Sequence, residues 1–231
     1  MASNNSNKAK SIMYSYKLSD LKKLYRKEYG KTGHGNAMTY NSKANQVLVV
    51  GPDEYKKIFV YNEKDLKKKK EITSHHHCSS IGYDASNDLY VQHAGKRIFM
   101  TDTSDDLKKL HDFDIHPFET TQDLEYHNGY TFFCTTDAGA KSTYQNYAFF
   151  SEGDNIIYVY NTQLDKEKKP NKNFGRLVAR LHITGLGELE SVSFHDGNMY
   201  FGFAPHSHDS HSYVFYKVNY KEFAKEVKKI K

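Results

Sequence analysis

The chain has 231 residues, 33 Lys and Arg against 28 Asp and Glu, a net charge of +5, and no tryptophan. No apolar run approaches the roughly 20 residues that a membrane-spanning helix needs, and the polar start lacks the hydrophobic core of a secretory signal. Nineteen Tyr and 14 Phe supply burial that a 38% apolar fraction understates, which excludes a wholly disordered chain, and two cysteines exclude a disulfide-built scaffold.

Residues 1–11 are polar and read as a disordered tail. Ile12–Leu18 and Leu21–Tyr29 read as two strands, a half unit. A four-residue segment then recurs: Met38–Asn41, Ile81–Asp84, Leu124–His127 and Val192–His195. Its aromatic residue falls at Tyr40, Tyr83, Tyr126 and Phe194, spaced by 43, 43 and 68 residues, so an insertion of 25 sits in the third unit. Each segment leads through a turn into a second apolar run: Val47–Val50, Leu89–Val91, Tyr130–Phe133, Met199–Phe201. Asn128-Gly129 and Asp196-Gly197 are hairpin dipeptides. A third run follows at Ile58–Tyr61, Ile98–Met100, Ile156–Tyr160 and Tyr213–Tyr216. A polar fourth segment is opened by Asp-Leu-Lys-Lys at Asp20, Asp65 and Asp106.

Four short strands per fixed period of about 43 residues predict an all-β fold, a β-propeller. A β-sandwich supplies no such period. The expectation is a half blade at 12–30 and four complete blades at about 33–73, 76–115, 119–184 and 187–231, in a single domain over 12–231. The half blade has no donor for its inner strands, so the chain reads as part of a five-bladed parent. The alternative is a four-bladed propeller with an N-terminal extension. The tail is either a fourth strand or a short amphipathic helix, because Phe223, Val227 and Ile230 have helical spacing.

Loops between blades, and loops between second and third strands, are expected on one face of a propeller, and rigidly held loops are where binding sites lie. Counting back from the aromatic, His34, His77, Thr120 and Glu188 share one position; Asn36, Ser79, Gln122 and Glu190 share another. His34, Asn36, His77, Gln122, Glu188 and Glu190 are therefore the candidate ligand-binding residues at a channel mouth. Glu190 is expected to point the same way as Glu188 by strand alternation. His75, His77, His206, His208 and His211 are weaker candidates for a metal, since imidazoles ligate divalent cations. No cofactor is required by this reading, and a divalent cation is the one these residues could hold. Tyr144, Tyr147, Phe149 and Phe150 in the insertion suit either packing or carbohydrate stacking. Cys78 and Cys134 fall on predicted strands as buried thiols, and Lys67–Lys70 reads as an outer edge strand guarded by charge. No phosphate loop, nucleophile elbow or dinucleotide fingerprint occurs, and no catalytic residue is assigned.

Gly33–Asn41, Gln122–Tyr126 and Gly187–Glu190 resemble segments of the helveticin-like class III bacteriocins, a family of secreted Gram-positive propeller-like proteins, over about residues 12–219. The resemblance implies an extracellular or cell-surface protein acting at bacterial envelopes. The expected function is recognition of an envelope glycan or anionic polymer by a monomer, with no nucleic acid and no transmembrane segment involved. The alternatives are a metal-assisted hydrolase or lyase using the His/Glu face, and an intracellular interaction scaffold.

Overall fold

The computed structural model describes residues 10–17, 19–20, 22–30, 37–51, 56–115, 121–136, 155–183, 187–205 and 214–227. Two strands open the chain, β1 (Lys10–Lys17) and β2 (Lys22–Gly30), paired antiparallel in a sheet of their own. Three four-stranded antiparallel meanders follow. The first is β3 (Ala37–Asn41), β4 (Gln46–Val50), β5 (Lys57–Asn62) and β6 (Lys68–Thr73). The second is β7 (Ser80–Asp84), β8 (Leu89–Ala94), β9 (Arg97–Asp102) and β10 (Lys109–Asp114). The third is β11 (Thr121–His127), β12 (Tyr130–Thr136), β13 (Asn155–Asn161) and β14 (Leu177–Ile183). The last sheet has three strands, β15 (Gly187–His195), β16 (Asn198–Pro205) and β17 (Val214–Asn219), followed by the helix α1 (Tyr220–Val227).

The fold class is that of a β-propeller, with each repeat unit forming one blade in sequence order. One expectation is corrected: the fourth blade has three described strands, not four. The reason is local. Asn219 closes β17 and its side-chain oxygen accepts the backbone N–H groups of Lys221 and Glu222, at 3.0 and 3.2 Å, which caps the helix that was one of the two readings of the tail. Phe223 then packs on the apolar cluster of blades three and four.

Burial explains the charge gradient across a blade. In the first blade β5 is buried along its middle, whereas outermost β6 shows a single buried residue, Ile72. Lys68 and Lys57 of this blade pair with Glu71. The chain divides into two compact units, residues 1–95 with 99–110, and residues 96–98 with 111–231. In the first, Leu48, Val50, Ile58 and Val60 of blade one meet Cys78, Ile81, Tyr83 and Tyr90. In the second, Phe132, Cys134 and Ile157 meet Leu189, Val192, Met199 and Phe203. Full burial of one such side chain contributes about 1.5–3 kcal/mol.

The repeat aromatics occupy equivalent positions, each the penultimate residue of its blade's first strand, paired with Val47, Tyr90, Thr131 and Met199 respectively. Their burial differs: Tyr83 and Tyr126 are buried, Phe194 is half-buried, and Tyr40 is 43% exposed. Turn chemistry differs too. Blades one and two use four-residue turns in which Tyr40 and Tyr83 donate their hydroxyls to Asn45 and Asp88, at 3.1 and 2.8 Å. Blades three and four use the two-residue turns read from sequence. Asn128, Gly129, Asp196 and Gly197 all have positive φ, the signature of a type I′ hairpin. The Asp-Leu-Lys-Lys motif places Leu66 and Leu107 in the left-handed region, with φ of 52° and 46°, and buries both.

Candidate functional site

The inner strands of blades three and four are longer than those of blades one and two, and both are bulged at the same repeat position. In β11 the pairing steps from Thr121↔Thr135 to Leu124↔Phe133, so Gln122 and Asp123 stand against Cys134. In β15 it steps from Leu189↔Phe203 to Ser191↔Gly202, leaving Glu190 as the extra residue. A bulge re-aims the side chain it carries. Glu188 and Glu190 are half-buried on either side of buried Leu189, and the alternation breaks only after Glu190, where Ser191 is half-buried as well.

These bulges assemble a polar cluster within the second unit. The Gln122 side-chain amide donates to the Glu188 carboxylate. Burial and then the charge of Glu188 push the Glu190 carboxyl up to about 7. Beneath them lies Asp123, 6% exposed. Burial pushes its carboxyl up to about 8, against the lowering effect of the Leu124 and Val192 N–H groups, and the neighbouring Glu190 adds to the rise. Oδ2 of Asp123 accepts the Val192 N–H at 3.4 Å, while its buried Oδ1 has no hydrogen-bond partner among the described residues. Asn155 Oδ1 accepts the Leu189 N–H at 2.8 Å. Asp123 and Asn155 thus supply acceptors to backbone donors on either side of the β15 bulge. The Cys134 thiol is buried, and burial together with the charges of Asp123 and Glu125 raises it well above its usual range.

Of the residues singled out from sequence, the structure brings Gln122, Glu188 and Glu190 together. His34, Asn36, His206, His208 and His211 lie outside the described residues, as do Tyr144, Tyr147, Phe149 and Phe150. His77 is exposed and belongs to the first unit. His75 Nε2 lies 2.9 Å from the Asp106 carbonyl, and His76 stacks on Phe99 with ring centroids 4.0 Å apart. This histidine run is a bend and loop between blades, and Cys78, expected on a strand, precedes β7 instead of lying on it. Among the described residues no group of three or more His, Cys, Asp or Glu side chains is placed to hold a metal ion.

Two features were not anticipated. Ser79, at the repeat position of Gln122 and Glu190, donates its hydroxyl to His93 Nδ1 at 2.6 Å, and His93 Nε2 reaches the Gly95 carbonyl at 2.8 Å. Burial pulls this imidazole down to about 4, so it is neutral at physiological pH and ties β8 to the residue that precedes β7 and to the turn that follows β8. Asp123 is the second. Its column in the repeat reads Ala37, Ser80, Asp123, Ser191. A carboxyl replaces a small residue in one blade only, and that contrast is the signal in the sequence.

Chemically, the cluster offers an amide, two carboxyls near the surface, and a buried carboxyl that holds its proton at pH 7. This set accepts and donates hydrogen bonds to hydroxyl groups. No protein-family model matches the sequence, and no curated protein matches it. Among solved structures, the chain is similar to the Kuenenia stuttgartiensis hydrazine synthase, with 5% identity over 83% of this chain and 47% of that one, at a TM-score of 0.45. It is similar to U3-55K, with 11% identity over 90% and 56%, at 0.46. It is also similar to the WD40 repeats of RRP9, with 11% identity over 84% and 52%, at 0.46. The chain spans about half the length of each of these structures.

Proposed function

We propose that this protein is a binding module that recognises a hydroxyl-rich glycan of a bacterial envelope through Gln122, Glu188 and Glu190. The observation that carries the reading is the paired bulge, which turns polar side chains from two inner strands into one cluster. Sugar hydroxyls both donate and accept, and adjacent amide and carboxyl groups match that pattern. The resemblance to helveticin-like proteins supports an envelope target. Titration of purified Gram-positive cell walls tests it. Binding that survives chelation and weakens about tenfold or more in Glu188→Gln and Glu190→Gln, with unfolding midpoints held, supports the module. Unchanged binding in both variants refutes it.

A second reading is a hydrolase or lyase, and one observation favours it: Asp123 and Glu190 both hold protons near neutral pH, as general acids do. Release of soluble sugars from the same walls, abolished in Glu190→Gln, would select that reading.

A further inference from the structure

The first two strands of the chain carry a local excess of positive charge. Residues 10–30 hold six Lys and Arg against two acidic residues, a net charge of +4. They form the β1–β2 hairpin. Ile12, Tyr14 and Tyr16 alternate along β1, so they share one face, and they are 38%, 44% and 51% exposed. Leu24, at the register shift in β2, is 51% exposed. The opposite face is anchored, since Met13 packs on the cluster of Val49, Phe59, Tyr61 and Leu66. On the open face the Tyr14 and Tyr16 ring centroids lie 6.0 Å apart, and the Lys23 ammonium sits 5.8 Å from the Tyr14 ring.

We propose that this open face docks on an anionic lipid surface. Ile12, Tyr14, Tyr16 and Leu24 enter the headgroup region, and Lys23, which pairs with Tyr16 and sits by the Tyr14 ring, meets the lipid phosphates. Charge complementarity selects an anionic partner. The aliphatic members select lipid over a dissolved polyanion: a polyphosphate chain engages ammonium groups and stacks on tyrosines, but gives Ile12 and Leu24 nothing to enter. Tyrosine suits the boundary because its ring is apolar and its hydroxyl stays wet. Lysines beside an apolar face extend their charge to the headgroups.

Co-sedimentation of the full chain with phosphatidylcholine vesicles, with and without phosphatidylglycerol, tests the proposal. The expected result is binding about tenfold or more tighter on the anionic vesicles, weakening as salt is raised. Lys23→Glu, and separately Ile12→Ser with Leu24→Ser, should each weaken it about tenfold or more. These side chains are exposed, so unfolding midpoints should hold. Equal binding to neutral vesicles overturns the proposal. So does a serine variant that binds vesicles like the parent, which would assign the face to a soluble polyanion. So does a concentration-dependent dimer abolished by Tyr14→Ser, which would assign it to a second copy.

Discussion

Asp123→Asn isolates the buried carboxyl. An ordinary aspartate ionises near 3.8, whereas Asp123 in the folded chain does so at about 8. Between those values the folded protein holds a proton that the unfolded chain has released. The folded state therefore binds more protons, and stability must fall as pH rises through that window. Each pH unit inside it is worth about 1.4 kcal/mol. Asparagine keeps the shape and an oxygen for the Val192 N–H but does not titrate. Whatever constant offset the amide introduces, its advantage over the parent should widen by about 2–3 kcal/mol between pH 5 and pH 7. Glu190 titrates in both proteins, so most of its own contribution cancels. Urea unfolding at several pH values, monitored by tyrosine fluorescence, reads the difference directly. Parallel stability curves for parent and variant would refute the reasoning, because they would mean that Asp123 ionises in the fold as it does in water.

Gly129 and Gly197 both sit at positive φ, so alanine at either place should cost on the order of 1 kcal/mol in backbone strain. Only at Gly129 would the new methyl overlap a neighbour, the Gln163 side chain, while at Gly197 it meets open space. Gly129→Ala should therefore lower the unfolding midpoint more than Gly197→Ala, and equal losses would count against the turn geometry. Cys78 and Cys134 are buried and unpaired, and burial pushes the Cys78 thiol up to about 12. Neither should react with a thiol-specific disulfide reagent until denaturant unfolds the chain, and fast labelling of the native protein would contradict the packing.

The repeat was legible because its carriers are local. A hairpin dipeptide such as Asn128-Gly129 needs only its own φ angles, and Asp-Leu-Lys-Lys marks a strand opening by its own turn. The helix at Tyr220 was half legible: its spacing was visible, and the Asn219 cap that decides for helix over strand was not weighed. Burial was less legible because it depends on what a neighbouring sheet brings. Tyr40 and Tyr83 share a motif and a hydroxyl bond, yet one ring is covered and the other is not. The cluster at Gln122, Glu188 and Glu190 came from register alone. The register argument found the residues without the mechanism, since a bulge leaves no residue type of its own behind. Asp123 is marked in the sequence only by the contrast within its repeat column, where the other blades carry Ala37, Ser80 and Ser191, and its burial depends on what β15 packs over it.

Turn type and bulge sort the blades into two pairs. A chimera that exchanged inner hairpins within a pair would keep both devices. An exchange between pairs would import a straight five-residue strand where β15 needs a kink, and would erase Glu190 together with the N–H donors of Leu189 and Val192 that Asn155 and Asp123 accept. The repeat units are thus interchangeable parts in outline only. A consensus blade averaged over all four would fold with neither pair's turn intact, and would average away the carboxyls that distinguish the second pair.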